Sequence, residues 1–321
     1  MEWGDIARFL VCPYCSRPLT QTGRAVSCPC GHAFDIARDG SLNLLPATRH
    51  SSRAPGDSRA MLAARRSFLA GGHYQRLSDR VNALAIAHLA TVARALPAAP
   101  LPVLDLGCGE GYYLGRLDAA AGHVFAPGRV RCLGLDVAKD AARLAARHHR
   151  ACRFAVADIR SRLPVADATM ALALNIFAPR HAVEFRRVMH VDGLLIVVIP
   201  VEDHLAELRA TLSLLGIEAQ KRERVLARLA GLFSCVEEMT LTYEITLSSD
   251  ELGDLIAMMP SVRHLTDAAR GEIRRQTGIQ TRVGFHILAF RPLPVPQGLC
   301  ILGKWDAEEG EDFLRVAAVV A

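Results

Sequence analysis

The most informative stretch of the chain is residues 103–113, which read VLDLGCGEGYY. An apolar segment typical of a buried strand ends in an acid, and three glycines at alternate positions lead into the start of a helix. Glycines let the backbone approach a ligand closely, and the first turn of a helix points free N–H groups at it. A dinucleotide-binding turn needs its third glycine three positions after the second, where Tyr112 stands. The spacing therefore predicts a cofactor site of a different type.

This turn resembles motif I of the class I S-adenosylmethionine (SAM) methyltransferases, in which an acid lies two residues before the first glycine. Acids also follow the next two predicted strands, and ligands bind where the carboxyl ends of parallel strands meet. Asp136 is placed to accept hydrogen bonds from ribose hydroxyls, and Asp158 is placed to meet the adenine amino group. Taken singly, each acid is more commonly a turn residue, and a structural turn is the alternative for the glycines. The expected cofactor-binding residues in this region are Asp105, Gly107, Cys108, Gly109, Glu110, Gly111, Asp136 and Asp158.

A second candidate site lies near the N-terminus, where Cys12, Cys15, Cys28 and His32 follow a C-x2-C-x12-C-x3-H pattern. Two close pairs of such ligands match a closed tetrahedral zinc site, which is structural because no coordination position is left open. A module this small has little core, so the metal would supply much of its folding free energy. Prolines and glycines between the pairs favour a β-knuckle over a long helix. Cys30 is an alternative fourth ligand, and ordinary buried or redox cysteines are the alternative to a metal site.

Further segments resemble the RlmA-type 23S rRNA (guanine-N1)-methyltransferases, a group that includes relatives conferring resistance to tylosin and other macrolides. They follow the same order over residues 10–290 and include CPCGHAFD at 28–35, DGSLNLLP at 39–46, GHY at 72–74 and NIFAP at 175–179. The resemblance implies methyl transfer from SAM to N1 of a guanine in a 23S rRNA hairpin. It also implies 23S rRNA as the partner and a two-fold homodimer. The residues that it implies are Cys12, Cys15, Cys28 and His32 for structural Zn²⁺, and Tyr74, residues 107–111, Asp136 and His204 for SAM.

Asn175 and Asp57 are the candidates for the catalytic step. Guanine N1 carries a proton at neutral pH, so a base or polarising groups must assist its removal. Asn175 begins the segment after the fourth predicted strand, where class I enzymes that modify base nitrogens often hold the target base. A strand exit capped by asparagine and stopped by proline is the alternative for that segment. Asp158 is a third candidate for the base, and nothing in the sequence chooses among the three.

The elements that must position these residues alternate as strand and helix. Continuous apolar strands separated by helices indicate a parallel sheet covered on both faces. We predict an α/β fold of the class I SAM-dependent methyltransferase type: a Rossmann-like, mostly parallel seven-stranded sheet with a small N-terminal zinc-binding module. One of the last two strands is expected to be antiparallel. The predicted strands are 103–106, 132–137, 154–157, 170–176, 194–199, 239–247 and 282–290, and the predicted helices are 58–70, 77–96, 139–149, 181–189 and 203–230.

Four segments are expected along the chain. Residues 1–45 form the zinc-binding module, which we assign to RNA recognition, and residues 46–100 form a linker and helices leading into the catalytic domain. Residues 101–291 form the SAM-dependent methyltransferase domain. Residues 292–321 form a tail of unassigned role, for which we expect at most a short helix. This tail and a longer connection at 122–128 depart from the pattern of the family.

Composition limits the classes of function. The formal net charge of +5 permits a polyanionic partner without requiring one. Arginines in the module and the linker would clamp an RNA backbone, and a solvated face is the alternative for them. No apolar run approaches the roughly 20 residues of a membrane span, and the N-terminus lacks the pattern of a signal peptide. Nine cysteines, four of them clustered near the N-terminus, suit reduced thiols and a metal site. We therefore expect a cytoplasmic protein that does not bind membranes.

Two other functions stay open at this point. A SAM-dependent methyltransferase acting on a small molecule would have the same fold, because class I domains serve many substrates. A non-catalytic, zinc-containing RNA-binding or assembly factor would keep SAM only as a ligand. The basic zinc module disfavours the first alternative, and the intact glycine turn disfavours the second.

Overall fold

The computed structural model describes residues 2–46, 56–212, 220–259, 278–294, 299–305 and 312–318. Its N-terminal module has the β-knuckle architecture that the prolines and glycines predict. Three short strands form an antiparallel sheet in sequence order, and one helical turn precedes them. These elements are α1 (Gly4–Ala7), β1 (Thr20–Thr22), β2 (Ala25–Ser27) and β3 (Ala33–Asp35).

A central sheet of eight strands forms the core of the protein. Its strands are β4 (Leu42–Asn43), β5 (Leu101–Leu106), β6 (Val130–Asp136), β7 (Arg153–Val156), β8 (Met170–Ile176), β9 (Met189–Pro200), β10 (Phe233–Leu247) and β11 (Ile279–Pro292). They lie in the order β10-β11-β9-β8-β5-β6-β7-β4. All residues of β5 and β8 are buried, as expected for strands covered on both faces. The order reverses at β5, so the turn after β5 lies at the switch point where α/β sheets bind ligands.

The predicted seven-stranded, mostly parallel sheet is confirmed, and the module adds an eighth strand to it. Strand β11 is antiparallel to both of its neighbours, which confirms the single antiparallel strand. Strand β4 pairs in parallel with β7 through Leu42 and Ala155. An antiparallel bridge between Leu10 and Val165 makes a second connection. The module is thus joined to the sheet by backbone hydrogen bonds as well as by side chains.

Helices cover the sheet between these strands. Ser58 accepts a hydrogen bond from the backbone N–H of Met61 and so caps the first long helix, which the sequence predicted over residues 58–70. The predicted helical stretch 203–230 contains two helices, and residues 213–219 lie outside the described part of the chain. Among the described residues, no helix is both long and apolar enough to cross a membrane. The helices are α2 (Arg59–Ala70), α3 (Gln75–Ala95), α4 (Tyr112–Ala121), α5 (Lys139–His148), α6 (Ala182–Val188), α7 (Ala206–Leu212), α8 (Lys221–Leu229) and α9 (Ser249–Ala257).

Two apolar layers hold the sheet between its coverings. On one face, side chains of α2, α3 and α4 pack on the strands. On the other face, Trp3, Leu10 and Leu42 of the module join Leu135 and Ala155 in a single buried cluster. Burial of one such side chain stabilises the fold by roughly 1.5–3 kcal/mol, so the module's stability depends on the sheet.

The tail, in which the sequence allowed for a short helix, forms two strands in its described residues 299–305 and 312–318. Strands β12 (Leu299–Trp305) and β13 (Asp312–Ala318) pair in antiparallel fashion as a separate two-stranded sheet.

Candidate functional site

The four predicted zinc ligands of the module converge on one point. The ligand atoms of Cys12, Cys15, Cys28 and His32 all lie within 4.8 Å of one another. The Sγ atoms of Cys15 and Cys28 are 3.5 Å apart, and His32 Nδ1 lies 3.4 Å from Cys28 Sγ. Tetrahedral zinc with bonds of about 2.3 Å to sulfur and 2.0 Å to nitrogen separates its ligand atoms by about 3.5–3.8 Å. The donor set therefore fits a zinc ion with little rearrangement.

His32, and not Cys30, completes this group in the structure. Cys30 is exposed and does not belong to the convergent set. The main chain between Cys28 and His32 forms a tight turn in which Gly31 N–H donates to Cys28 O, and Cys28 N–H donates to His32 O. Gly31 has a φ of +86°, which only glycine adopts readily. This turn returns the histidine to the side of Cys28.

Packing explains two of the three glycines after β5. A Cβ on Gly107 would lie 2.5 Å from Ala178 Cβ, and one on Gly111 would lie within 3.0 Å of Ala145 and Phe154. Both glycines also have a φ of +84°. Gly109 is different, because its Cβ would meet only the guanidinium of Arg65, at 3.3 Å. The buried backbone of Gly109 is therefore covered by the Arg65 guanidinium, whereas Gly107 and Gly111 are packed against neighbouring uncharged side chains.

Asp136 fixes the shape of this turn from the end of β6. Its Oδ2 accepts from Gly109 N–H at 2.9 Å, and its Oδ1 accepts from Ala138 N–H at 2.8 Å. Burial raises the pKa of this carboxyl above its ordinary value, and the two backbone donors oppose that rise. The predicted acid thus lies beside the middle glycine, at the carboxyl edge of the sheet.

Three further groups of the turn are buried beneath it. Asp105 is 3% exposed, and burial, together with Asp136 and Glu110, raises its pKa to about 8. Burial also raises the pKa of Glu110, while Arg65 opposes the rise. The thiol of Cys108 is buried and its pKa lies well above the ordinary value. Asp105 and Cys108 are therefore protonated at neutral pH.

Asp158 lies after β7, as its sequence position predicts, and forms a local turn. Its Oδ1 accepts from the backbone N–H of Arg160 at 3.0 Å and from Arg160 Nε at 3.1 Å. Ser161 Oγ donates to its other oxygen at 3.3 Å. These contacts match the turn role that a lone acid commonly has, and its contact with adenine stays a prediction.

Tyr74 and His204 meet although they are 130 residues apart in the sequence. Tyr74 Oη lies 3.2 Å from His204 Nε2, and His204 Nδ1 lies 3.1 Å from Gly284 O. Burial lowers the pKa of His204 to about 4, so the ring is neutral at physiological pH. Phe285 packs against both rings at centroid distances of 5.0 Å. Tyr74 and His204, which only the family resemblance assigned to the same site, are thus in direct contact.

Asn175 holds the segment after β8 in place. It is fully buried, and its Nδ2 donates to Leu106 O at 3.1 Å and to Pro179 O at 2.9 Å. Between these anchors Phe177 has a φ of +55° and is 43% exposed. Phe177 lies next to Tyr74, with ring centroids 6.3 Å apart. An exposed aromatic ring therefore stands at the edge of the site, and sequence reasoning noted its segment without singling it out.

Asp57 lies beside the glycine turn, paired with Arg65, which the sequence analysis placed among the linker arginines expected to clamp an RNA backbone. Arg65 Nη1 is 2.6 Å from Asp57 Oδ2 and 3.9 Å from Glu110 Oε2. Arg65 belongs to α2, which precedes the sheet, so only the tertiary fold brings it to the glycine turn. The arginine-rich sequence of α2 was the available signal, but it did not distinguish Arg65 from the solvent-facing arginines.

The cleft suits SAM. Asp136 lies beside the backbone of Gly109, and Arg65 of α2 covers it. Glu110 Oε2 and Tyr113 Oη are buried and have no hydrogen-bond partner among the described residues. Carboxylates next to a glycine turn can accept the hydroxyl and ammonium donors of such a cofactor.

Comparisons with known proteins agree with both sites. The model of the RlmA N-terminal zinc ribbon matches residues 10–53, and a methyltransferase domain matches residues 103–191. A 23S rRNA (guanine(748)-N(1))-methyltransferase of Streptomyces fradiae is 38% identical over 298 residues, which cover 90% of this chain and 99% of that protein. The chain belongs to the RlmA-type 23S rRNA (guanine-N1)-methyltransferase family.

A second member of this family supports the assignment. A Micromonospora griseorubida protein, named provisionally as a 23S rRNA (guanine-N(1)-)-methyltransferase, is 43% identical over 287 residues, or 83% of this chain and 90% of that protein. These matches confirm the predicted fold class, a class I methyltransferase domain with a zinc ribbon. They also confirm SAM as the cofactor and zinc as the structural metal.

Proposed function

We propose that this protein transfers the methyl group of SAM to N1 of a guanine in a 23S rRNA hairpin. The observation that carries the proposal is the union of a zinc ribbon and a glycine-turn cofactor site on one sheet, in a chain that is similar over 90% of its length to a 23S rRNA (guanine(748)-N(1))-methyltransferase. The zinc ribbon, which would bind the RNA, and the SAM site would then be held at a fixed distance and orientation.

The cofactor-binding roles follow from the cleft. SAM supplies a methyl group on a sulfonium, which an aligned nucleophile displaces in line. We propose that Asp136 accepts hydrogen bonds from the ribose hydroxyls of SAM. The cofactor would lie close to the backbone of the turn at Gly109. We assign one wall of the site to Tyr74 and His204, because their mutual hydrogen bond holds both rings still. Asp105 and Cys108 support the turn from below, and Asp158 closes the adenine end.

We assign the target guanine to the exposed ring of Phe177. Stacking of a base on an aromatic side chain contributes about 1–3 kcal/mol, as judged by alanine substitution. Asn175 acts as a positioning residue, because both of its amide N–H groups are already used by backbone carbonyls. Asp57 is the carboxylate proposed to take the N1 proton, since its side chain is 31% exposed at the cleft. The base must be unpaired or turned out of the hairpin to reach it.

The zinc module is the proposed RNA-reading surface. Tyr14 is 48% exposed and lies parallel to Phe34, at an interplanar angle of 8°. Arg17, Arg24 and Arg38 are exposed on the same module. Aromatic rings accompanied by arginines bind unpaired bases and phosphates, and such binding weakens as salt rises. RNA binding should therefore show a negative slope against salt concentration.

The test uses purified protein, tritiated SAM and unmodified 23S rRNA, with nucleosides analysed by mass spectrometry. We expect a 1-methylguanosine peak that Gly109→Arg abolishes. Phe177→Ala should lower RNA affinity about 5- to 100-fold, as expected for the loss of one stacked base, with little change in SAM affinity. Val191→Ala, at another exposed apolar residue, is the matched control. Position 748, named for the Streptomyces fradiae relative, is the first guanine to map.

Other results would redirect the proposal. Methylation of metabolites with no transfer to RNA would support a small-molecule methyltransferase. Tight RNA binding without transfer would support a non-catalytic factor. If transfer occurs, a rise in macrolide tolerance on expression in a susceptible host would support a role in drug resistance, and action on ribosomal RNA would support a cytoplasmic location. Sedimentation would test the implied homodimer, and truncation before residue 292 would test whether the tail is separable.

A further inference from the structure

We propose that Arg65 binds the α-carboxylate of SAM and thereby selects a cofactor with an intact amino-acid end. The inference rests on SAM being the methyl donor of the proposed function. Arg65 lies on α2, in the linker region, and not in the glycine turn at 107–111.

The position of Arg65 is the first argument. Its guanidinium covers the buried backbone of Gly109, the middle glycine of the turn, where an added Cβ would lie 3.3 Å from Arg65 Nη1. The side chain is 26% exposed, so it is largely enclosed yet open on one side. Helix α2 thus carries a cation into a site whose other elements come from the sheet.

The charges around Arg65 are the second argument. Asp57, Glu110 and Asp136 come from three separate elements, and all three favour the charged guanidinium. The closest approach, 2.6 Å, is to Asp57, whereas Glu110 is 3.9 Å away, beyond hydrogen-bond distance. Glu110 Oε2 has no hydrogen-bond partner among the described residues. The local carboxylates therefore outnumber the guanidinium.

A zwitterionic ligand explains this imbalance. The amino-acid end of SAM carries an ammonium, which suits unpaired carboxylates, and a carboxylate, which they would repel. A planar guanidinium binds a carboxylate through two parallel hydrogen bonds and would remove that repulsion. The carboxylates around Arg65 would then bind the ammonium and stabilise the sulfonium of SAM, and Arg65 would bind its carboxylate.

The support of helix α2 is the third argument. Arg59 makes a bidentate ion pair with Asp140 of α5, at 2.7 and 3.2 Å. The backbone at Gly56 lies so close to Ala138 that a Cβ there would come within 2.8 Å. The helix is thus fixed against α5 before any cofactor enters. A preformed guanidinium loses little conformational freedom when it binds a ligand.

The test compares SAM with decarboxylated SAM, which lacks only the α-carboxylate, by isothermal titration calorimetry without RNA. Replacement of Arg65 by Met should weaken SAM binding about 10- to 100-fold, the usual value of hydrogen bonds to a charged group. Binding of decarboxylated SAM should change less than about twofold. Arg66→Met, at the exposed arginine next to Arg65 on the same helix, is the matched control and should bind both ligands as the wild type does.

The alternative is that Arg65 only ties the linker to the turn. In that case Arg65→Met would weaken both ligands equally, or neither, and the proposal would be overturned. If Arg65→Met does not fold, Arg65→Lys keeps the charge and loses the two-pronged geometry, and its smaller loss must again be confined to SAM. A wild-type protein that binds neither ligand would refute the proposed function itself. Binding of both ligands without discrimination would refute only the role of Arg65.

Discussion

Replacement of Gly107 by alanine should destabilise the protein through a contact between the cofactor turn and the segment after β8. Gly107 has a φ of +84°, and its Cβ would lie 2.5 Å from Ala178 Cβ. Ala178 follows Phe177, which is bracketed by the hydrogen bonds of Asn175 to Leu106 and Pro179. The clash therefore cannot be relieved by rotating one flexible side chain.

Two contributions make up the expected loss. An L-residue in the left-handed region costs roughly 1–2 kcal/mol, and overpacking of a close contact costs typically 1–3 kcal/mol. Gly107→Ala should therefore lower the free energy of unfolding by about 2–5 kcal/mol. Gly231→Ala isolates the first contribution, because Gly231 has a φ of +78° and nothing lies within 4 Å of its Cβ. The two variants should differ by about 1–3 kcal/mol.

Thermal and urea unfolding of the two variants measure this difference. A domain of 150–250 residues loses roughly 2–4 °C of Tm per kcal/mol, so the variants should differ by about 2–12 °C. Equal losses would mean that the segment after β8 yields to the added methyl group, and the reasoning about its rigidity would be refuted. A larger loss for Gly231→Ala would refute the geometry of the turn as well.

Three further predictions concern a buried acid, the zinc site and a positioning amide. The pKa of Asp105 rises to about 8, so the native state keeps a proton that the unfolded state releases, and stability falls as pH rises from about 4 to 8. As pH rises over this range, the free energy of unfolding of Asp105→Asn should therefore increase relative to that of the wild type by up to about 1.4 kcal/mol per pH unit. Urea unfolding measures both free energies, and an equal dependence on pH in the two proteins would contradict the prediction. Removal of zinc by a chelator should shift the fluorescence of Trp3 to longer wavelength, because its buried indole donates to Gly40 O at 3.0 Å within the module, and an unchanged spectrum would mean that the module folds without metal. Asn175→Ala leaves two carbonyls without their donors and should cost about 2–5 kcal/mol of unfolding free energy, with a loss below 1 kcal/mol showing that water replaces the amide.

Local patterns in the sequence predicted most of the fold. The glycine turn and each pair of zinc ligands depend on residues within a few positions of each other, where backbone geometry limits the choices. The alternation of apolar strands with helices then restricts the sheet to few topologies. The four predicted zinc ligands therefore converge, and the glycine turn follows β5 as predicted, while the contacts of single residues with SAM stay predictions.

Features set by distant residues could not be predicted in this way. Arg65 reaches the cofactor turn only because α2 docks on α5. The residues around it in the sequence do not distinguish it from an arginine that faces solvent. The exposed position of Phe177 depends on hydrogen bonds between Asn175 and both ends of a turn. Strand β4 is two residues long, too short for any periodic pattern, and its pairing with β7 is fixed by the docking of the whole module.

The pairing of β4 with β7 also orders events during synthesis. The zinc ligands lie within 21 consecutive residues and can close around a metal as soon as they leave the ribosome. Leu42 must wait for Ala155, more than one hundred residues later, which takes roughly 5–20 s at 5–20 residues per second. During that interval Trp3 and Leu10 have no sheet to pack on. A nascent chain that loads zinc promptly would present this apolar face on a folded ribbon, whereas one starved of zinc would present it on an unfolded segment, which is more prone to aggregate.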